Sequence, residues 1–140
     1  MKSFFLLNDE NEIKVNENFA GYLIFYHKNQ DPAVAEIQLN LFSKLIENGL
    51  KLKMDNFLVV DFSSNKNRLS TYIKKLNISK CFLFGVTQGE IGINVEIPLY
   101  NLTTVGTIEF LKADAPEKIE TSKNLKSGLW SQLQLSFKLN

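Results

Sequence analysis

Gly21-Tyr22-Leu23-Ile24-Phe25-Tyr26 is an unbroken apolar run, and its reading decides the fold. A strand with one face in water alternates apolar and polar residues. A run without polar interruption fits a strand covered on both faces. Two further runs have the same character, Phe57-Leu58-Val59-Val60-Asp61-Phe62 and Lys80-Cys81-Phe82-Leu83-Phe84-Gly85-Val86. Between the first two runs the period changes to that of a helix. Asp31 is placed to cap it and Pro32 suits its first position. Val34, Ile37, Leu41 and Leu45 then form an apolar stripe, widened by Phe42 and Ile46, and Gly49 stops it. Between the second and third runs, Ser63-Ser64-Asn65 offers caps for a short helix through Leu69, Tyr72, Ile73 and Leu76. The rhythm is βαβαβ, which predicts an α/β fold with a mostly parallel sheet and right-handed crossovers.

The remainder is less regular. Gly85, Gly89 and Gly92 punctuate a loop, and Ile97-Pro98-Leu99-Tyr100 reads as extended. Thr107-Ile108-Glu109-Phe110-Leu111 alternates and predicts a further strand. Ala115-Pro116 opens a helical turn through Glu117 to Glu120. A last helix is predicted from about Ser122, with Leu125, Leu129, Leu133 and Phe137 every four residues and Trp130 beside them. Residues 1–19 are polar with two apolar patches, Phe4-Phe5-Leu6-Leu7 and Ile13-Lys14-Val15, flanking the acidic turn Asn8 to Glu12. A small hairpin and a mobile arm are both open readings there. The chain therefore divides into an N-terminal arm or hairpin over 1–19 and one α/β domain over 20–140.

The totals narrow the function classes. A length of 140 residues suits one domain, able to bury a core without metal or disulfide. The net charge is +1, and among 16 basic residues Arg68 is the one arginine. Phosphate clamping and base readout favour the arginine fork and a surplus of positive charge. Little or no direct nucleic-acid binding is expected. The single cysteine, Cys81, leaves no intrachain disulfide and no thiolate cluster. The Phe4–Leu7 run is too short for a signal-peptide core, and no apolar stretch approaches the roughly 20 residues of a membrane span. These features predict a cytoplasmic chain without membrane association.

Residues able to carry chemistry are few. His27, the one histidine, follows the first strand, with only Asp31 and Tyr26 near it in sequence. A general base needs a nucleophile and an orienting partner, so a strand-end histidine without catalysis is the expected role. Cys81 lies second in an apolar strand and reads as a small buried hydrophobe, with Lys80 on the opposite face. Asp61 sits near the carboxyl end of a parallel strand, where ligands of such sheets bind. It is also well placed to orient the next loop or cap a helix, and that structural role is the expected one. The loop Gly85 to Gly92 lacks the order of a phosphate cradle, and Glu90 would repel an anion. Glu117 and Glu120 suit the first turns of a helix. No HxH, HExxH or CxxC occurs, so neither a metal nor a cofactor is expected.

The segment Phe110-Leu111-Lys112-Ala113-Asp114-Ala115-Pro116-Glu117-Lys118-Ile119, running into Lys123-Asn124-Leu125-Lys126-Ser127-Gly128-Leu129-Trp130-Ser131-Gln132-Leu133, resembles the end of the psi subunit of bacterial DNA polymerase III. In that family an apolar strand leads into a leucine-rich turn, then a basic residue and a Leu-Trp pair on the last helix, with an aromatic near its end. The matching residues are Lys126, Leu129, Trp130 and Phe137. Leu23 to Tyr26, the Asp31-Pro32 helix start and Phe82-Leu83-Phe84-Gly85 are similarly placed. The chain looks most like short psi-like proteins of the Bacteroidetes type, over about residues 20–138.

The resemblance implies a non-catalytic replication accessory protein bridging the clamp loader to the chi subunit. It also implies a three-layer α/β/α sandwich of uracil-DNA-glycosylase-like topology, without the catalytic residues of those enzymes. Phe4, Phe5, Leu6, Leu7 and Trp130 are the candidate partner-binding residues, although Trp130 reads first as core, since the Leu125–Leu129–Leu133 stripe suffices for one. Two alternatives stand beside this: an orphan interaction domain of the same fold, or a small ligand- or nucleotide-binding enzyme using Asp61, His27 and the Gly85–Gly92 loop.

Overall fold

A computed structural model describes residues 13–139, so Phe4–Leu7 and the acidic turn before Ile13 lie outside the described residues. Five strands form one sheet: β1 (Tyr22–Tyr26), β2 (Phe57–Asp61), β3 (Lys80–Phe84), β4 (Thr103–Val105) and β5 (Ile108–Ala113). Their order is β2-β1-β3-β5-β4, with β4 antiparallel to β5 and the other pairs parallel. Four α-helices accompany them among the described residues: α1 (Pro32–Ser43), α2 (Leu69–Lys75), α3 (Pro116–Glu120) and α4 (Lys123–Ser136). The fold is thus mixed α/β with a mostly parallel sheet, as the apolar runs predict. No helix among the described residues is long and apolar enough to cross a membrane.

The register explains why those runs need no polar residues. Leu23 lies beside Leu58 and Cys81, and Phe25 beside Val60 and Leu83, all on one face. Leu69 and Tyr72 of α2 pack on that face, with Ile91 and Ile97 from the segment after β3. On the other face, Ile24 lies beside Val59 and Phe82. There Leu41 and Phe42 of α1, Ile119 of α3, and Leu129 and Leu133 of α4 complete a second core. Leu23 to Tyr26 of β1 are therefore buried whichever way they point, and Tyr22 at the start of the strand stays partly exposed.

Two local expectations are corrected. Of the predicted α1 stripe, Leu41, Phe42 and Ile46 are buried as expected, but Ile37 is exposed and Val34 only half-buried, and Ala35 and Gln38 fill the core face in their place. The helix is rotated because the Gln38 amide has backbone partners beneath the sheet edge, described below. The predicted caps of α2 are not used. Arg68 stands at its N-cap without a side-chain bond, and Leu69 N–H donates instead to Ile91 O at 3.1 Å. Ser63 and Ser64 turn back to Asp61. The other signals match their positions. Asp31 accepts from Ala33 N–H at 3.0 Å, and Ser122 Oγ accepts from Leu125 N–H at 3.2 Å. After α1 the helix widens into a π-helical turn, Lys44–Gly49.

The residues of the C-terminal motif fasten α4 to the sheet. Leu129 is fully buried, and Lys126 Nζ lies 3.2 Å from Glu120 Oε2. Half-buried Trp130 packs over Gly49, where an added Cβ would stand 2.8 Å from ring carbon Cζ3. Gly49 is thus required by close approach, while the left-handed residue past the helix is Lys51, at φ 60°. Phe137 stacks on Phe82 at 6.2 Å and meets Tyr22 edge-on at 5.1 Å. Lys80 Nζ donates to Glu109 Oε1 and to Ser136 O, each at 3.0 Å, placing a cation where the helix carbonyls are unpaired. Ser136 Oγ donates to the same Glu109 oxygen.

Truncating Leu129 to alanine should lower the unfolding free energy by about 3 kcal/mol, the range for deleting a fully buried leucine side chain. Gly49→Ala should cost about 1–3 kcal/mol by overpacking against Trp130. Urea unfolding followed by Trp130 fluorescence measures both, and a Gly49→Ala chain as stable as the parent would contradict the Trp130 packing.

Candidate functional site

The carboxyl edge of the sheet is the place where parallel strands present groups to ligands. β2 and β3 flank β1 on opposite sides. The chain leaves β1 toward α1 on one face and leaves β3 toward Ile91 and Ile97 on the other. The two exits thus leave the sheet toward opposite faces. His27, Asp61 and Glu90 all stand on this edge.

His27 Nε2 lies 3.0 Å from Glu90 Oε1, so a side chain from the β1 exit reaches across to the β3 exit. The other Glu90 oxygen accepts from Thr87 N–H at 2.7 Å and Thr87 Oγ1 at 3.1 Å. Partial burial acts to raise the Glu90 pKa, but the bonds from Thr87 and His27 outweigh it and hold the carboxyl below its ordinary value. The pair is 39% and 37% exposed, so solvent screening leaves it little net stabilisation. The histidine partner lies 63 residues away and is none of the groups adjacent in sequence.

Asp61 is more fully engaged. Its Oδ1 accepts from Lys28 N–H at 3.0 Å, from Ser63 N–H at 3.1 Å and from Ser63 Oγ. Its Oδ2 accepts from Ser64 Oγ at 3.1 Å. Burial acts to raise its pKa, and the bonds from Ser63, Lys28 and Ser64 outweigh it, so the net shift is downward. The carboxylate ties the β1 exit to the β2 exit. It makes no bond to His27, whose ring instead meets Phe62 edge-on at 5.9 Å.

Gln38 is the residue that sequence reasoning missed. It is 0% exposed, and its amide completes the edge from below. Oε1 accepts from Asn29 N–H at 3.0 Å, while Nε2 donates to His27 O at 3.0 Å and Glu117 Oε1 at 2.8 Å. The signal was a polar residue three positions after Ala35 and three before Leu41, on the face that those residues bury.

The remaining candidates lie elsewhere. Cys81 is wholly buried in β3 and burial pushes its thiol pKa up, away from the reactive thiolate. Trp130 sits with α4 on the opposite core from Cys81. Phe4, Phe5, Leu6 and Leu7 lie outside the described residues. Among the described residues no three His, Cys, Asp or Glu side chains are grouped to hold a metal ion.

Asp61→Ala removes an acceptor from several donors and should cost about 2 kcal/mol at pH 7. Because the folded pKa is depressed, this contribution is present above the unfolded value of about 4 and is lost as pH falls through the folded one. The gap between parent and variant in urea unfolding should therefore shrink by pH 3; an undiminished gap would show that the carboxylate charge is not its source.

Comparison with other proteins identifies no relative: no family model matches the chain, and no curated protein and no solved structure matches it significantly.

Proposed function

We propose that the chain is a non-catalytic protein-binding module, a psi-like accessory subunit of the DNA replication machinery that bridges the clamp loader to another subunit. The observation that carries the binding-module reading is the carboxyl edge. Asp61, Glu90 and Gln38 spend their polar atoms on the chain's own loops, and His27 is held by one of them. An enzyme of this architecture would need such groups aimed at a substrate. The alternative enzyme reading, through Asp61 and His27, draws less support, since the two make no bond to each other.

The replication reading rests on the C-terminal residues. Lys126, Leu129, Trp130 and Phe137 all lie on or just past α4, which follows an apolar strand, β5, in the order that the resemblance describes. Helical side chains packed on both faces of a mostly parallel sheet are in keeping with a three-layer α/β/α sandwich. The charge of +1 with a single arginine suits bridging proteins better than gripping nucleic acid.

A tagged full-length chain, used as bait in extract of its native host, should retain clamp-loader subunits through washing at physiological salt. Capture should persist with His27→Ala and with Asp61→Asn. A bait with residues 1–19 intact that retains no clamp-loader or polymerase subunit overturns the replication reading.

A further inference from the structure

A groove of about 240 Å³ opens between α2, the 91–93 turn and the β4–β5 hairpin. Its walls are apolar, with Ile73, Ile91, Ile93, Val105 and Ile108 among them, and Arg68 stands at its rim. The rim is built rather than incidental. Leu69 N–H donates to Ile91 O, joining α2 to the turn. Gly92 adopts φ +87°, and an added Cβ there would stand 3.0 Å from Arg68 Cδ. The missing side chain lets the arginine stem lie across the turn while its guanidinium reaches water. Among the described residues that guanidinium has no carboxylate partner, although it is the one arginine of the chain.

The surroundings share its sign. From Phe62 to Gly89 the chain holds Lys66, Arg68, Lys74, Lys75 and Lys80 and no Asp or Glu. Lys80 is paired with Glu109 at the α4 end, while Lys66, two residues before Arg68, and Lys74 and Lys75, which follow the lining residue Ile73 in α2, are exposed without ion-pair partners among the described residues. The groove wall also includes a sheet edge. β4 pairs only with β5 among the described residues, and Val105 lies on it. An open edge accepts an extended peptide through backbone hydrogen bonds, with alternate side chains entering adjoining pockets.

We propose that this groove binds an extended acidic segment of a partner protein, an apolar side chain entering between Ile73 and Val105 and a neighbouring carboxylate pairing with Arg68. The proposal rests on the reading of the chain as a protein-binding module and supplies its surface. Charge selects the occupant: a neutral apolar segment leaves Arg68 unpaired, and a basic one meets like charge.

Fluorescein-labelled decapeptides alternating Asp with Leu or Phe are titrated with the full chain and followed by anisotropy. Saturable binding is expected, weakened about tenfold by Arg68→Ala, the loss of one charge-assisted hydrogen-bond pair. Ile73→Asp should abolish it and Leu135→Asp should leave it unchanged; Ile73 and Leu135 are both exposed, so neither variant threatens the core. Equal binding of peptides with Lys for Asp, or with Ser for Leu and Phe, overturns the proposal. So does dodecanoate binding to the groove without peptide binding, which assigns it to lipid, and so does absence of any peptide binding. The same variants used as bait in host extract separate the two readings. A partner held equally by parent, Arg68→Ala and Ile73→Asp overturns the groove and leaves the module, whereas a parent that holds none overturns the module.

Discussion

β1 has neighbours on both edges and cores on both faces, so from Leu23 to Tyr26 almost no surface is left for water. The rest of the chain is arranged around that constraint. A strand so enclosed must be apolar at every position, which is why Tyr22 to Tyr26 contains no charge. Two separate sets of side chains must cover it, and they come from segments far apart in sequence. Helices α1, α3 and α4 supply one set, and α2 with the segment after β3 supplies the other. Parallel pairing in turn forces each connection to travel the length of the sheet. The exits of the four parallel strands gather at the carboxyl edge, and β4 alone runs the other way.

Each edge then has its own polar problem. At the amino edge the end of α4 would leave carbonyls facing an apolar core, and Lys80 meets Ser136 O while Glu109 balances its charge. At the carboxyl edge the diverging loops leave backbone N–H groups unpaired. Asp61 takes Lys28 and Ser63, Gln38 takes Asn29, and Glu90 takes Thr87. The Asn29 bond to buried Gln38 is half-buried and the others are exposed, so each contributes about 0.5–1.5 kcal/mol.

The core was legible because burial on both faces leaves a strong compositional trace. The three apolar runs, the Asp31-Pro32 start, the Ser122 cap and the Leu129–Leu133 stripe all read directly from residue type and spacing. What was not legible depends on contacts between distant segments. Nothing near His27 in the chain points to Glu90, and nothing near Leu69 points to Ile91 as the acceptor that begins α2. The orientation of α1 was misread for the same reason. Hydrophobic periodicity assigns Ile37 to the core, whereas the amide of Gln38 is needed there by a loop and by Glu117. The groove beside Arg68 was likewise invisible, since its walls come from four separate stretches.

The central claim is that the polar groups of the carboxyl edge are committed to the chain's own backbone. Amide hydrogen exchange at Lys28, Asn29 and Thr87 tests it most directly, because these N–H groups donate to the side chains of Asp61, Gln38 and Glu90. The account predicts protection approaching that of the β1 amides, lost selectively at Lys28 in Asp61→Ala. Exchange at the rate of unprotected loop amides in the parent chain would contradict it.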